Sequence, residues 1–546
     1  MASSDPDGGG RERAGHELLE THLSRRRLLQ RMAAAGLALG SSGLLAACGG
    51  DGGSSGSGGG GSPSGGGGVK RGGRLRVGHV GAGKGESFNP ARGSSFIDAS
   101  RYFNLFDPLS RVSPTLEIEP GLALEWIPNN DSTVWELKLR PDVTWHDGKP
   151  FTADDVIYTL QEMNDAKHIS HSSVTNIKLG DVKKVNDLTL QIPLKAPNAR
   201  LFDSFVQQNT VIVQDGAKDF SKPVGTGPFM FESFSVGERS LCKRNPNYWE
   251  EGKPYVDEWE DISIDDNAAR LNALLAGEID MMSQLPFAQA KDQQQRGEIQ
   301  VLAADSPAIQ VFIMAVDIAP FDDERVRQAF RLIPDRQALI DGALFGFGTV
   351  GNDLAGRGLP FFAEELPERE QDLEQARSLL KQAGAENLEV TLHTSDIVPG
   401  FVEAATLLAQ QAKGAGVSIE VKKEPASAYF DTSLLYTKLD FAQSFWTFSS
   451  LPIWYEQSLL SDAVWNETHW REPSFDKLIR DAQGAPDEST ATELWGRVQQ
   501  IQYDQGGYIV WSNQQLVDGA STQVKGLEPS SFFNLGGWNY RDVQLG

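Results

Sequence analysis

Three neighbouring segments decide the fold: Arg101-Tyr-Phe-Asn-Leu-Phe-Asp-Pro-Leu109, Glu119-Pro-Gly-Leu-Ala-Leu-Glu-Trp126 and Thr133-Val-Trp-Glu-Leu-Lys-Leu139. The third segment alternates apolar and polar residues, which is typical of a strand with one buried face. Trp145-His-Asp-Gly148 then predicts a turn, and Phe151-Thr-Ala-Asp-Asp155 predicts the start of a helix. This region of the chain therefore combines strands with a helix.

The predicted helix is amphipathic. Thr152 and Asp155 have the spacing of a capping box, in which each side chain satisfies a backbone N–H at the helix start. Val156, Leu160 and Met163 then fall on one face. We expect this face to pack on the neighbouring strands.

Further blocks follow in a fixed order. They are Lys222-Pro-Val-Gly-Thr-Gly-Pro-Phe229, Arg244-Asn-Pro-Asn-Tyr-Trp249, Arg270-Leu-Asn-Ala-Leu-Leu-Ala-Gly-Glu-Ile-Asp280, Pro320-Phe-Asp-Asp-Glu-Arg-Val-Arg-Gln-Ala-Phe330 and Asp335-Arg-Gln-Ala-Leu-Ile340. Together with the first segments, they resemble the solute-binding proteins of the bacterial peptide/nickel class, extracellular solute-binding family 5, which serve ABC transporters. The resemblance runs from about Gly72 to the C-terminus.

Local patterns outside these blocks also alternate between helix and strand. Asp322 and Asp323 are placed to cap a helix from about Glu324, and Pro334 precedes the next one. Helices are predicted over 372–382, 401–413 and 492–505, and strands over 388–392 and 417–421. Gly225 and Gly227 with Pro228 suit either a crossing between lobes or a tight turn.

The resemblance implies an α/β, two-lobed periplasmic-binding-protein-like fold with a hinge. The ligand cleft would lie between the lobes, and an extra subdomain would be inserted in lobe I. The expected divisions are 1–47 signal peptide, 48–68 tether, 69–107 the first segment of lobe I, 108–222 inserted subdomain, 223–305 the second segment of lobe I, 306–505 lobe II and 506–546 the C-terminal segment of lobe I.

The N-terminal region is an export signal. Ser24-Arg-Arg-Arg-Leu-Leu-Gln30 resembles a twin-arginine signal through Arg25 and Arg26, and Leu45-Ala-Ala-Cys48 resembles a lipobox. The apolar run between them is too short to cross a hydrocarbon core of about 30 Å as a helix. We therefore expect cleavage before Cys48 and lipidation of its thiol, with the general secretory route as the alternative to twin-arginine export.

Residues 49–68 form a predicted tether, since nearly all of them are Gly or Ser. Such a composition behaves as a flexible coil. The folded body would then be held at the outer face of the cytoplasmic membrane, on the periplasmic or cell-wall side, through lipidated Cys48 alone.

The net charge restricts the binding partners of the chain, and the cysteine content restricts its disulfide bonds. The formal net charge of −24 argues against nucleic acid. Of the two cysteines, Cys48 is assigned to the anchor, so Cys242 has no intramolecular disulfide partner. Cys242 is expected to face inward from a strand, although a reactive thiol is the alternative.

Apparent catalytic motifs lack their structural context. Gly78-His-Val-Gly-Ala-Gly-Lys84 has phosphate-loop spacing without the following Ser/Thr, and Gly52-Gly-Ser-Ser-Gly56 lies in the tether. Gly346-Phe-Gly-Thr-Val-Gly351 follows a predicted helix instead of a strand. His168 and His171 lack nearby cysteines or paired acids, so no metal is expected. We predict neither a cofactor nor an enzyme.

The sequence determines the identity of the ligand less fully than it determines the fold. In peptide binders of this family, an Asp shortly after a Trp in lobe II takes the ligand's α-ammonium group, and the matching position here is Ser449. A hydroxyl cannot neutralise a buried ammonium. Free-N-terminus peptides would therefore require Asp440 or Glu456 as a substitute acid.

Aromatic residues crowd the same stretch: Phe441, Phe445, Trp446, Phe448, Trp454 and Tyr455. Some must be core, because alternate strand residues face inward. Aromatic rings at a cleft can also stack on sugars or cationic groups. The predicted ligand-binding residues are Trp446, Phe448 and Ser449 in lobe II and Tyr102, Phe103 and Asn104 in lobe I.

The sequence thus predicts a monomeric substrate-binding lipoprotein of an ABC importer. It would deliver a small solute to permease subunits with cytoplasmic ATPases. The solute would be a peptide or peptide-like compound, or alternatively a sugar or cationic metabolite. A ligand-sensing lipoprotein receptor of the same fold and an exported hydrolase are the alternative functions.

Overall fold

The computed structural model describes residues 69–80, 86–93, 95–425, 429–430, 434–435, 438–447, 450–463 and 465–546. Residues from Gly68 onward form one compact unit. The predicted export arginines Arg25 and Arg26, the lipidation site Cys48, and the ligand residues Phe448 and Ser449 lie outside the described residues. Within the described ranges, no helix has the length and apolar character needed to cross a membrane.

The first sheet has the strand order β12-β19-β11-β1-β10-β9-β8. Its strands are β1 (Arg74–His79), β8 (Phe229–Ser235), β9 (Arg239–Arg244), β10 (Glu258–Ser263), β11 (Met281–Met282), β12 (Gln300–Ala304) and β19 (Leu516–Ala520). β1 pairs in parallel with β10 and β11, whereas the other pairs are antiparallel. Leu75, Val77 and Trp259 are fully buried and anchor its core.

The second sheet has the order β14-β18-β13-β17-β15-β16. Its strands are β13 (Ile309–Met314), β14 (Gly348–Val350), β15 (Glu389–Thr394), β16 (Ser418–Lys423), β17 (Phe441–Trp446) and β18 (Tyr508–Gln514). β15 is parallel to β16 and β17, and β13 is antiparallel to β17 and β18. All six residues of β13 are buried, as expected for a strand covered on both faces.

A smaller sheet of order β4-β5-β7-β6 lies in the region predicted as the inserted subdomain. Its strands are β4 (Ala123–Pro128), β5 (Val134–Leu139), β6 (Lys183–Asn186) and β7 (Thr189–Pro193). Two small ladders pair β2 (Ser110–Val112) with β3 (Ile118–Pro120), and β20 (Val524–Lys525) with β21 (Gln544–Leu545). The smaller sheet has its own core, which includes Trp135 and Trp145.

Helices cover these sheets. They are α1 (Phe96–Leu105), α2 (Ala153–Met163), α3 (Asn267–Leu275), α4 (Phe287–Arg296), α5 (Glu324–Leu332), α6 (Arg336–Ala343), α7 (Leu373–Gln382), α8 (Phe401–Ala412), α9 (Leu451–Ser458), α10 (Pro473–Gln483) and α11 (Glu488–Gln505). Short 3₁₀ turns occur at His171–Val174, Leu179–Asp181, Leu201–Phe205, Gln208–Thr210 and Lys413–Ala415. Asn534–Trp538 is left-handed at its three central residues and is not a regular α-helix.

Local sequence signals place most of these elements. The Thr152–Asp155 capping box begins α2, and Val156, Leu160 and Met163 are buried. Asp323 caps α5. α11 begins earlier than the predicted residue 492, because the Asp487 side chain accepts a hydrogen bond from the Thr490 backbone N–H and starts the helix there.

Gly225 and Gly227 serve a close approach between segments. A Cβ on Gly225 would lie 1.7 Å from the Leu105 carbonyl oxygen, and a Cβ on Gly227 would lie 2.6 Å from the Leu105 carbonyl carbon. The two glycines therefore let this segment lie against the end of α1, a reason that the sequence pattern alone does not reveal.

Two chain segments pass side by side between the large sheets. One joins β12 to β13 and the other joins β18 to β19. The Ser306 hydroxyl donates to the Gln514 carbonyl at 2.6 Å, and the Gln515 side chain donates to Asp305 at 2.8 Å. The predicted domain boundaries remain predictions, but β18 pairs within the second sheet. We therefore propose that lobe II extends to Gln514 instead of ending at residue 505.

Cys242 faces inward from β9, as the strand pattern predicts. Its side chain is fully buried, and burial raises the pKa of its thiol well above the usual value. A thiol held in its protonated form is a poor nucleophile, so Cys242 has a packing role.

Candidate functional site

The parallel strands of the two large sheets define where a ligand site is expected. In open α/β sheets, ligands bind outside the carboxyl ends of the strands. In the first sheet, the central strand β1 ends at His79. In the second sheet, β17 ends at Trp446, a predicted ligand residue. These two ends are the candidate site.

The region predicted as the inserted subdomain contacts the segment that follows β17. Arg200 binds Asp203 through two hydrogen bonds of 2.7 and 3.0 Å, and its guanidinium group lies 5.4 Å from the centre of the Phe361 ring. The Asp203 carboxyl lies beside the Ser450 hydroxyl, next to the start of α9. The segment after β17 is thus close to residues from the region predicted as the inserted subdomain of lobe I.

Trp446 is half-buried and held in one orientation. Its indole N–H donates to Glu467 Oε1 at 2.8 Å. Its ring meets Trp454 at a centroid distance of 6.4 Å and Trp465 at 6.1 Å. Trp454 is fully buried, whereas Trp465 is 40% exposed. Trp446 therefore bridges the core and the protein surface.

Glu467 is the buried acid closest to Trp446. Its side chain is fully buried, and the Ser444 and Tyr508 hydroxyls lie beside its carboxyl. Burial raises the pKa of Glu467 to about 7, because the charged form loses its hydration and the hydrogen bonds compensate only in part. Among the described residues, no lysine or arginine forms a salt bridge with it.

The other aromatic residues of this stretch divide between core and surface. Phe441, Trp454 and Tyr455 are fully buried. Phe445 is 39% exposed and forms an edge-to-face contact with Phe430 at 5.6 Å. Because Phe445 and Trp446 are consecutive in β17, they point to opposite faces of the sheet.

The predicted lobe I residues have different surroundings. Tyr102 is buried, and its hydroxyl donates to the carbonyls of Ser87 and Asn89. Asn104 is buried and donates to the carbonyls of Ser100 and Trp538. The polar atoms of both side chains thus have protein partners in this structure, and their role in ligand binding stays a prediction. Phe103 is only partly buried.

Phe103 lines a surface pocket in the first lobe. Its ring packs 5.7 Å from Phe533, and the pocket is also lined by Arg111, Phe532 and Arg541. Arg111 pairs with Asp107 and Glu250, and Arg541 approaches Glu250 at 3.3 Å. These cations are already neutralised by the protein.

The two acids considered as substitutes at Ser449 have different surroundings. Asp440 precedes β17, at the opposite end of the strand from Trp446. Glu456 is exposed in α9. Sequence reasoning missed Glu467 and Trp465, since both lie in an irregular segment with no periodic pattern or motif.

The end of β1 contains a buried Ser–His–Asp arrangement. His79 Nε2 lies 2.9 Å from Asp261 Oδ1, and His79 Nδ1 lies 3.2 Å from the Ser283 hydroxyl. All three side chains are fully buried. A substrate could not reach the Ser283 hydroxyl in this structure, so the cluster connects strands and offers no support for the hydrolase alternative.

Metal binding has no structural support in the described residues of the chain. There, no group of His, Cys, Asp and Glu side chains is arranged to hold an ion. The His171 ring contacts the Met163 carbonyl, and His168 Nδ1 accepts from the Ser170 backbone N–H. The two histidines thus have separate local roles.

Comparisons with known proteins agree with this architecture. The oligopeptide-binding protein OppA of Salmonella typhimurium is 26% identical over 467 residues, covering 78% of this chain and 84% of the relative. The substrate-binding protein CtaP of Listeria monocytogenes has a TM-score of 0.76 at 21% identity, covering 87% of this chain and 100% of that one.

A peptide complex has a similar fold. The DppA protein of Helicobacter pylori, solved with the peptide STSA, has a TM-score of 0.72 at 21% identity, covering 87% of this chain and 98% of that one. These relatives are binding proteins of transporters and not enzymes, and their fold is two-lobed. Residues 117–465 match the family described as bacterial extracellular solute-binding proteins, family 5 Middle. The chain therefore belongs to the bacterial extracellular solute-binding proteins of family 5.

Proposed function

We propose that this protein is the extracytoplasmic receptor of an ABC importer and that it captures peptides or peptide-like solutes between its lobes. Family membership supports solute binding. The peptide class is supported by the names of OppA and of the DppA complex with STSA. A sugar or a non-peptide cationic metabolite is the alternative solute.

The observation that carries this proposal is the aromatic surface at the end of β17. Trp446 and Trp465 are both partly exposed, whereas Trp454 beneath Trp446 is fully buried. A contiguous exposed apolar patch often marks a ligand-binding or interaction site, whereas single exposed apolar residues are common. Trp446 is the predicted ligand residue that best meets this condition, and Phe448 and Ser449 follow it closely in the chain.

Delivery requires that the lobes open and close around the solute. The two hydrogen-bonded crossings near Ser306 and Gln515 are suitable as a hinge. Ligand binding would favour the closed state by its higher affinity for that state. The closed, monomeric receptor would then pass the solute to permease subunits driven by cytoplasmic ATPases.

The decisive experiment identifies the natural solute. The full-length protein is isolated from its own membranes, denatured, and analysed by mass spectrometry for small molecules that were bound. Peptides are the expected result. A sugar or a non-peptide metabolite of discrete mass would contradict the peptide assignment while leaving import intact.

We also propose that lipidated Cys48 anchors the protein to the outer face of the membrane, after export guided by Arg25 and Arg26. The lipobox pattern and the Gly/Ser-rich segment after it support this arrangement. Cys48→Ala should move the protein from the membrane fraction to the soluble fraction. The matched control is Cys242→Ala, which should stay membrane-bound, and retention of both variants would contradict the anchor.

A further inference from the structure

The segment 197–203 belongs to the body of the smaller sheet. Leu201 is buried in the core of that sheet, and the Asn198 carbonyl accepts the indole N–H of Trp135 at 3.0 Å. In the chain, β1 precedes the smaller sheet and β8 follows it, and both strands belong to the first sheet. The segment is therefore connected through the chain to the first sheet and its lobe.

The same segment contacts residues that pack on the second sheet. The guanidinium group of Arg200 lies 5.4 Å from the centre of the Phe361 ring, and Phe361 packs on the core that covers β13 and β18. The Asp203 carboxyl lies beside the hydroxyl of Ser450, the residue that precedes α9. The segment thus joins the smaller sheet to the second sheet by non-covalent contacts.

Backbone approaches extend this contact. A Cβ placed on Gly484 would lie 3.9 Å from the Pro197 carbonyl oxygen, which is a van der Waals distance. A Cβ placed on Gly358 would lie 3.8 Å from the Leu116 side chain, in the turn between β2 and β3. The smaller sheet and its neighbouring hairpin therefore meet the second-sheet lobe at several separate places.

Arg200 and Asp203 hold each other in one orientation within this contact. Two hydrogen bonds of 2.7 and 3.0 Å join the guanidinium group to both carboxyl oxygens, which fixes the plane of the guanidinium group. Asp203 is only 7% exposed, and burial raises the pKa of its carboxyl, while the charge of Arg200 opposes this shift. The pair is thus ordered before it meets Phe361 and Ser450.

The position of this contact matters for the opening of the lobes. The two crossings near Ser306 and Gln515 are suitable as a hinge between the large sheets. A rotation about them that separates the lobes must also separate segment 197–203 from the second-sheet lobe. The contact is therefore present in the closed arrangement and is lost on opening.

We propose that Arg200 and Asp203 are positioning residues that stabilise the closed arrangement through Phe361 and Ser450. The region predicted as the inserted subdomain would thereby set the equilibrium between the open and closed states without contacting the solute. This inference rests on the proposed function and states how the same cleft is regulated. A contact that is formed only in the closed state raises the affinity for every solute that the closed state binds.

The first test measures the lobe arrangement in the full-length protein without added solute. Spin labels are placed at Lys183→Cys in β6 and Glu374→Cys in α7, two exposed positions, whereas the buried Cys242 thiol should stay unlabelled. Pulsed electron paramagnetic resonance then measures the distances between the labels. Arg200→Gln and Asp203→Asn should each raise the ratio of long to short distances about two- to fivefold, the value of one partly exposed cation–π contact.

The second test measures affinity for a mixed pool of tri- to pentapeptides by equilibrium dialysis with mass spectrometry. Arg200→Gln should weaken every retained peptide by the same factor of about two- to fivefold, because closure is changed and direct contacts are not. The double variant Arg200→Gln/Phe361→Leu should lose no more than the weaker-binding single variant, since both remove one contact. The control is Lys138→Gln, which removes an exposed ion pair with Glu125 and should keep wild-type distances and affinities.

The outcomes separate this inference from the proposed function. Wild-type label distances and affinities in Arg200→Gln and Asp203→Asn would overturn it. A loss confined to some peptides at unchanged label distances would mean that Arg200 contacts the solute, and it would also overturn the inference. If the wild type retains no peptide, the peptide class is wrong, and longer label distances in the two variants would still support the contact between the lobes.

Discussion

The strand ends of the two lobes use buried polar groups in opposite ways. At the end of β1, the Asp261 carboxyl accepts hydrogen bonds from the indole N–H of Trp259 at 2.9 Å and from the Ser100 hydroxyl at 3.3 Å, and it lies 2.9 Å from His79 Nε2. All of these groups are fully buried. The network is closed to solvent and connects β1, β10 and α1.

The end of β17 leaves some of its surface open. Glu467 is as deeply buried as Asp261, but its indole partner belongs to a half-exposed residue. Aromatic surface of Trp465 and Phe445 also remains exposed. A closed network provides stability, whereas an open one can exchange protein contacts for ligand contacts. The comparison therefore supports the proposal that the end of β17, and not the end of β1, contacts the solute.

The largest expected effect comes from breaking the closed network. Asp261→Ala removes the acceptor of several buried donors, each of which would lose its hydrogen bond without regaining water. The free energy of unfolding should fall by about 3–5 kcal/mol, the cost of removing one partner from a buried polar cluster. Urea denaturation measures this loss.

The control for this variant is an exposed acid of the same lobe. Asp292→Ala in α4 removes an ion pair with Arg296 that is half-exposed on both sides. Its effect should stay below about 1 kcal/mol, as for surface ion pairs in general. Equal destabilisation by the two variants would contradict the contrast between the buried network and the surface.

The second prediction concerns pH. The pKa of Glu467 is raised to about 7 in the folded protein, so the native state holds a proton that the unfolded chain releases near its usual value. The stability contributed by this protonated carboxyl is therefore present at low pH and is lost as the pH rises from about 4.5 through 7. Its size is on the order of 3 kcal/mol.

Glu467→Gln isolates this contribution, because the other acids are common to both proteins. Between pH 4.5 and 8, the wild type should lose about 3 kcal/mol of unfolding free energy relative to the variant. The titratable groups beside Glu467 are Tyr429 and Tyr508, and tyrosines ionise above this range. Parallel pH profiles for the two proteins would show that Glu467 does not titrate in this window.

Sequence patterns predicted the regular elements well, because their signals are local. The capping residues Thr152 and Asp323 and the alternation of residues 133–139 each determine a short element through nearby atoms. The family resemblance added the order of these elements and the two-lobed arrangement. Both could be inferred before any contact was known.

The candidate site depends on contacts that sequence patterns do not encode. Trp446 was predicted because it belongs to a recognisable block, but its partner Glu467 lies 21 positions away in sequence. Tyr102 and Asn104 are predicted ligand residues, and the contacts of their polar atoms with backbone carbonyls follow from packing that the sequence pattern does not show. Packing between distant segments decides which member of an aromatic cluster remains exposed.

The smallest predicted effect tests recognition at β17 directly. Trp446→Ala removes a ring that contacts Trp454 and Trp465 and should weaken peptide binding about tenfold or more, the value of one lost cation–π or stacking contact. The matched control is Phe445→Ala, which removes the neighbouring ring on the opposite face of the same strand. Binding titrations measure both affinities, and circular dichroism verifies that both variants remain folded.

If Trp446→Ala keeps the wild-type affinity, Trp446 belongs to the core alone. If Phe445→Ala instead loses affinity, recognition lies on the other face of β17, because consecutive strand residues cannot both face one ligand.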